Sequence, residues 1–185
     1  MTPAERELLL NQLTESRERL LSMMQNLSPQ QLHFRPAPGR WTVAECLEHI
    51  VTVERRVLGL IQKTLETGPD SSKRSVFAGK DREMAADVAG RVTRFQAPEM
   101  LVPTGKLSDD QFLTEFEAAR RQTHDFAART DADLRRHFYK HPAFGDLDLY
   151  QWSLLIAAHC DRHRAQSEEV MATPGFPRKQ ANAPA

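Results

Sequence analysis

The residues best placed to do chemistry lie near the end of the chain: His159, His163 and Gln166. Wound at about 100° per residue, Leu149, Trp152, Ile156, His159, His163, Gln166 and Val170 recur three and four apart and form one stripe of a helix. Two imidazoles and an amide therefore sit in an otherwise apolar seam. Burying such a group without a partner costs roughly 1–3 kcal/mol, so the interior must supply one. A metal ion is the partner this pattern predicts. Histidines at i, i+4 turn their rings the same way from successive turns, so both can reach one ion, and a further ligand must come from another part of the chain.

The elements that must position that ligand can be read from start and stop signals. Thr2 caps a first helix over about Pro3 to Leu27, with Pro3 at its first position, Glu5 closing a capping box, and Leu9, Leu13, Leu20, Met24 and Leu27 on its apolar face. Ser28-Pro29-Gln30-Gln31 repeats the signal for a single turn, and Arg35-Pro36-Ala37-Pro38-Gly39 makes a tight connector. A second long helix starts at Thr42 with Glu45, runs through Val43, Cys46, Leu47, Ile50, Val53, Val57, Leu58 and Ile61, and ends near Gly68-Pro69. From Pro69 to Leu107 lies a long connection whose one helical candidate is Lys80 to Ala89. Such a connection can return along a whole bundle and leave its flanking helices parallel, and its segment Phe95 to Pro103 could cover the mouth of a site. Ser108 with Gln111 caps a third long helix whose buried face is Phe112, Phe116, Ala119, Thr123 and Phe126. His137 to Leu147, with Pro142 and Gly145, reads as a loop before Asp148 and Gln151 cap the last helix.

Four long helices predict an all-α protein, a four-helix bundle, in which metal sites are built from inward side chains of facing helices. His49 on the second long helix is the best further ligand. It falls at the border of the apolar arc, and in a bundle that border faces a neighbour. His33, His124, His137 and His141 are better read as exposed or hydrogen-bonded. Gln166 can orient a substrate or a ligand, or bridge helices. Glu45 has its capping role, Asp161 faces away from the stripe, Cys46 behaves as a small hydrophobe, and Trp41 anchors a helix start. Other site chemistries fail on spacing: the paired Glu-x-x-His of a di-iron bundle, His-Glu-x-x-His, a Walker sequence, Gly-x-Gly-x-x-Gly and Gly-x-Ser-x-Gly are all absent.

The chain has 185 residues, enough for one domain with a full core, with 25 basic against 25 acidic side chains and no clustered basic run. Nucleic acid and membrane partners are not expected, and with neither an apolar leader nor a spanning run the protein is expected to be cytoplasmic. Cys46 and Cys160 are expected to be reduced thiols. The domain is expected over residues 1–172, with a flexible tail over 173–185.

Pro38-Gly39-Arg40-Trp41-Thr42-Val43-Ala44-Glu45, then Leu47-Glu48-His49, then Gln151-Trp152 through His159-x-x-x-His163-x-x-Gln166, with Leu27-Ser28-Pro29-Gln30-Gln31-Leu32 before them, resemble the DinB-like superfamily, which includes the YfiT-type and bacillithiol- or mycothiol-dependent transferases. The likeness runs nearly to Met171. It implies an up-down-down-up bundle with the long connection between its second and third helices, and a divalent metal held by His49, His159 and His163. Zinc or nickel is the ion expected, with iron or manganese as alternatives. The resemblance further implies a metal-dependent enzyme of small molecules, foremost a thiol S-transferase acting with a low-molecular-weight thiol on electrophiles. A metal-dependent hydrolase and a noncatalytic, stress-associated metal-binding protein are the alternatives. Homodimers are common in the family.

Overall fold

The protein is described by a computed structural model over residues 1–91 and 96–178. It is mostly helical, with α1 (Pro3–Met24), α2 (Pro29–Leu32), α3 (Val43–Leu65), α4 (Asp81–Ala89), α5 (Asp109–Arg129) and α6 (Leu149–Met171). A two-stranded antiparallel sheet, β1 (Phe138–His141) and β2 (Gly145–Asp148), precedes α6. No helix among the described residues is long and apolar enough to cross a membrane.

The helices begin where their caps dictate. Thr2 with Glu5, Ser28 with Gln31, Thr42 with Glu45 and Asp148 with Gln151 form reciprocal capping boxes that satisfy otherwise orphaned N–H groups. At the start of α5, the Gln111 side chain reaches back to the Ser108 N–H at 3.4 Å. The first helix stops short of the expected Leu27. Asn26 takes φ +67°, the left-handed conformation that ends helices and that asparagine tolerates better than most residues. The second long helix likewise ends at Leu65, before Gly68.

α6 forms the centre of the molecule, packing against α1, α3 and α4, while α5 packs against α3 and α1. The side-chain pairings record how these helices lie. The Tyr150 hydroxyl donates to the Glu5 carbonyl, the Cys160 thiol to that of Ser16, and Arg19 grips Asp161. Arg6 donates to the Ala127 carbonyl and Arg17 to Glu117. One apolar cluster gathers Leu9, Leu13, Val57, Ile61, Met84 and Trp152, and a second gathers Leu20, Val43, Ile50, Phe112, Phe116 and Cys160. Amid this core lies a buried ion pair. Arg120 bonds Glu54 at 2.8 and 2.9 Å through Nε and Nη2 and gives Nη1 to the Leu13 carbonyl and the Ser16 hydroxyl, so neither charge is left uncompensated.

The long connection carries its helix where the sequence placed it, as α4, and is tied down along its length: the Asp70 N–H bonds the Arg136 carbonyl, Gln151 bonds the Phe77 carbonyl and Asp81, and Met84 and Val88 bury α4 against α6. The supposed loop over 137–147 is largely the β hairpin, registered from Phe138 opposite Asp148 to His141 opposite Gly145. Gly145, at φ +69°, takes the left-handed position that follows its three-residue turn. The tail is held at its start, where the Phe176 ring meets Phe34 edge-on at 5.5 Å and Gln31 donates to the Pro177 carbonyl, while residues 179–185 lie outside the described residues.

Candidate metal centre

The site is assembled from α3 and α6. Its histidines lie where an amphipathic helix would bury them, and His49, assigned to the border of its arc, is only 4% exposed because α6 packs over that border. The Nε2 atoms of His49 and His159 are 3.2 Å apart. The His163 ring centroid lies 4.5 Å from that of His49 and 4.4 Å from that of His159. One ligand nitrogen from each of His49, His159 and His163 falls within 4.8 Å of the others, so this group could hold a metal ion.

The outer faces of two rings determine what the inner faces can do. His49 Nδ1 lies 2.7 Å from the Leu101 carbonyl, and His163 Nδ1 lies 3.0 Å from Gln166 Oε1, whose position is shared with an Arg91 N–H at 3.1 Å. Each acceptor requires the proton on Nδ1, which leaves Nε2 with a free lone pair. Burial lowers the pKa of His49, and burial together with the charges of His49, Arg162 and Arg91 pushes His163 down to about 2. Burial and the neighbouring histidines hold His159 well below the ordinary range too. The rings are therefore neutral at pH 7, the form that coordinates. Two nitrogens bound at zinc distances to one tetrahedral ion stand about 3.4 Å apart, close to the separation across His49 and His159. The donor set fits a divalent ion.

The surroundings complete the picture. Trp41 does more than anchor the start of α3: its indole lies 4.8 Å from the His49 ring and stacks on His163 at 5.9 Å. The part of the anticipated cover that is described, Gln96 to Pro103, does reach the site, because Leu101 supplies the carbonyl for His49; Phe95 lies outside the described residues. Glu48 ties the same strap down by accepting from the N–H groups of Thr104 and Gly105 at 2.9 and 2.8 Å. Gln166 lies behind His163, with its Oε1 at 3.0 Å from Nδ1. Neither protein thiol is poised to react, since burial pushes Cys46 and Cys160 up to about 12.

The remaining histidines stand apart from the triad. His33 pairs with Asp109 at the surface, and His137 Nδ1 meets the Asp133 carbonyl. His141 is half-buried on the hairpin, beside Trp152 and Phe144. Sequence reasoning missed Trp41, Arg91 and the Leu101 carbonyl. Trp41 lies close to His49 in the chain and could have been suspected, but a main-chain acceptor carries no side-chain signature.

A family model for the DinB superfamily matches residues 12–167. The uncharacterized protein YuaE of Bacillus subtilis (strain 168) is 26% identical over 158 residues, which cover 84% of this chain and 93% of that protein. No solved structure matches the chain.

Proposed function

The chain belongs to the DinB superfamily, and from that premise we propose that His49, His159 and His163 hold a divalent metal ion in an up-down-down-up four-helix bundle, and that the protein is a cytoplasmic, thiol-dependent S-transferase of small electrophiles. The single observation that carries the metal reading is the pair of outward hydrogen bonds, from His49 to the Leu101 carbonyl and from His163 to Gln166, which turn two lone pairs toward a shared centre. The topology is supported by the pairings between helices. Residue numbers rise together along α1 and α6, from Glu5 with Tyr150 to Arg19 with Asp161, and run oppositely along α1 and α5, from Arg6 with Ala127 to Arg17 with Glu117.

Structural zinc sites are usually closed by four protein ligands, so a three-histidine set suits catalysis. An ion bound there supplies Lewis acidity, lowering the pKa of a thiol or a water molecule toward neutrality; zinc or nickel suits three imidazoles best, and iron or manganese less well. Leu101 and Gln166 fix the ring tautomers, and Trp41 limits water on the side of His49 and His163. The acids around the site are already engaged: Glu45 with Arg35, Glu54 with Arg120, Asp161 with Arg19, Glu169 with Arg91, and Glu48 with the strap. A hydrolase of this kind usually draws on a free carboxylate as general base, whereas a thiol acidified by the ion needs none, and this favours S-transfer over the hydrolytic alternative. With Cys46 and Cys160 buried and held as thiols, the nucleophilic sulfur must come from a small-molecule thiol.

The test is metal analysis of untagged protein, followed by incubation of the metal-loaded protein with a thiol and a halogenated aromatic. Stoichiometric metal, lost in His159→Ala and His163→Ala but kept in His124→Ala, together with thioether formation, is expected. Thioether formation that survives chelation would refute the proposal. Ester cleavage in place of thioether formation would favour the hydrolase, and metal without either reaction a noncatalytic metal-binding protein. Size-exclusion chromatography with light scattering reports whether the homodimer common in such families forms.

A further inference from the structure

His141 is not part of the triad, yet the fold fixes it unusually well. Its Nδ1 accepts from the N–H groups of Ala143 at 3.1 Å and Phe144 at 3.2 Å. Two donors on one nitrogen require the ring proton of a neutral imidazole to sit on Nε2. The ring stacks on Phe144 at 4.8 Å and tilts against the Trp152 indole at 5.1 Å. The Trp152 N–H in turn bonds the Tyr139 carbonyl and clips the hairpin onto α6. Burial lowers the pKa of His141, so the ring stays neutral at pH 7.

That arrangement leaves an oriented donor unused. His141 Nε2–H has no partner among the described residues, and no buried side-chain nitrogen or oxygen among them is left unpaired, so this N–H lies open rather than sealed in the core. Its place relative to the triad follows from helix geometry. Trp152 and His159 stand two turns apart on one face of α6, about 10 Å along its axis.

We propose that His141, backed by Trp152 and Phe144, is a second recognition point of the metal site: a neutral N–H donor that takes an acyl oxygen, carboxylate or amide, on the part of the substrate thiol remote from its sulfur. The inference rests on the metal-site reading above. A neutral donor between aromatic faces suits a planar acyl group, and its distance from His159 sets the length of the molecule that engages both points.

The experiment uses the full chain loaded with Co²⁺, whose visible spectrum reports imidazole ligation and whose sulfur-to-metal band reports a bound thiol. The probes are 8-mercaptooctanoate, whose extended chain spans about the 10 Å that separates the levels of Trp152 and His159 on α6, and 3-mercaptopropionate, which does not. The variant is His141→Asn, whose side-chain oxygen can take the place of Nδ1 at the turn but which has nothing at Nε2. The wild type is expected to bind the long thiol more tightly than the short one. His141→Asn is expected to lose about tenfold in affinity for the long thiol while retaining the short one and its Co²⁺. Equal affinities of wild type and variant for the long thiol, with Co²⁺ bound in both, overturn the inference and leave the metal site standing. A wild type that takes up no Co²⁺ overturns both.

Discussion

Replacing Gln166 with leucine tests the link between orientation and metal affinity. The amide oxygen accepts from His163 Nδ1 at 3.0 Å and from Arg91 at 3.1 Å. Arg91 keeps its two-pronged grip on Glu169, so it loses little. His163, only 7% exposed, is left with an N–H that has lost its acceptor, an omission that costs about 1–3 kcal/mol in a buried place. The ring can relieve that cost by moving its proton to Nε2, the atom that must be bare to coordinate. Metal binding therefore bears the loss more heavily than folding does. A tenfold to hundredfold weakening is expected, about 1.4–2.7 kcal/mol, in the range typical of partners that orient ligand histidines. Gln166→Glu, which keeps an acceptor within reach of Arg91, should bind at least as tightly as the wild type. Competition with a chromophoric chelator at pH 7.5 measures both affinities, and thermal melts without metal measure the folding component. If Gln166→Leu holds metal as tightly as the wild type, or if its metal loss only tracks a lowered melting temperature, the orienting role is refuted.

Further outcomes are expected. Glu48→Ala frees the strap at Thr104 and Gly105, which should raise amide exchange around Leu101 and weaken metal binding several-fold by loosening the acceptor of His49; unchanged exchange at Leu101 counts against the linkage. Without metal, stability should be flat between about pH 7 and 8 and fall as pH drops below the ordinary histidine value of 6.5, because the unfolded chain takes up protons that the buried rings refuse. His163, pushed down to about 2, contributes a loss of about 1.4 kcal/mol between pH 7.5 and 5.5, with His49 and His159 acting in the same direction; urea titrations at the two pH values check the sign. Arg120→Met strands the Glu54 carboxylate in the core and should cost about 3–5 kcal/mol, while Arg120→Met with Glu54→Leu should cost much less than the sum of the single changes, as a double-mutant cycle in urea would measure.

Much of this was legible in the residues because it depends on short-range rules. Capping boxes such as Thr42 with Glu45 and Asp148 with Gln151 act within one turn, and the i, i+4 spacing of His159 and His163 fixes a shared direction whatever surrounds the helix. What escaped depends on tertiary context. The wheel position alone leaves His49 at a border, and only the expectation of a bundle neighbour, met by α6, turns it inward. Pro142 and Gly145 read as breakers in the sequence, whereas Gly145 is the left-handed residue that completes a hairpin turn. Arg91 lies beyond the end of α4, in a stretch with no periodicity to place it, yet it reaches Gln166. Asn26, which stops α1 before Leu27, is a helix-ending signal available in the sequence.

The hydrogen bond from His49 ends on the peptide of Leu101, not on its side chain. Most substitutions at position 101 would leave that oxygen in place, whereas lengthening or shortening the segment between Gln96 and Thr104 by even one residue would carry it away. Anyone remodelling the entrance of this protein can therefore change its chemical character freely by exchange of side chains, but should treat the number of residues in the strap as part of the metal site.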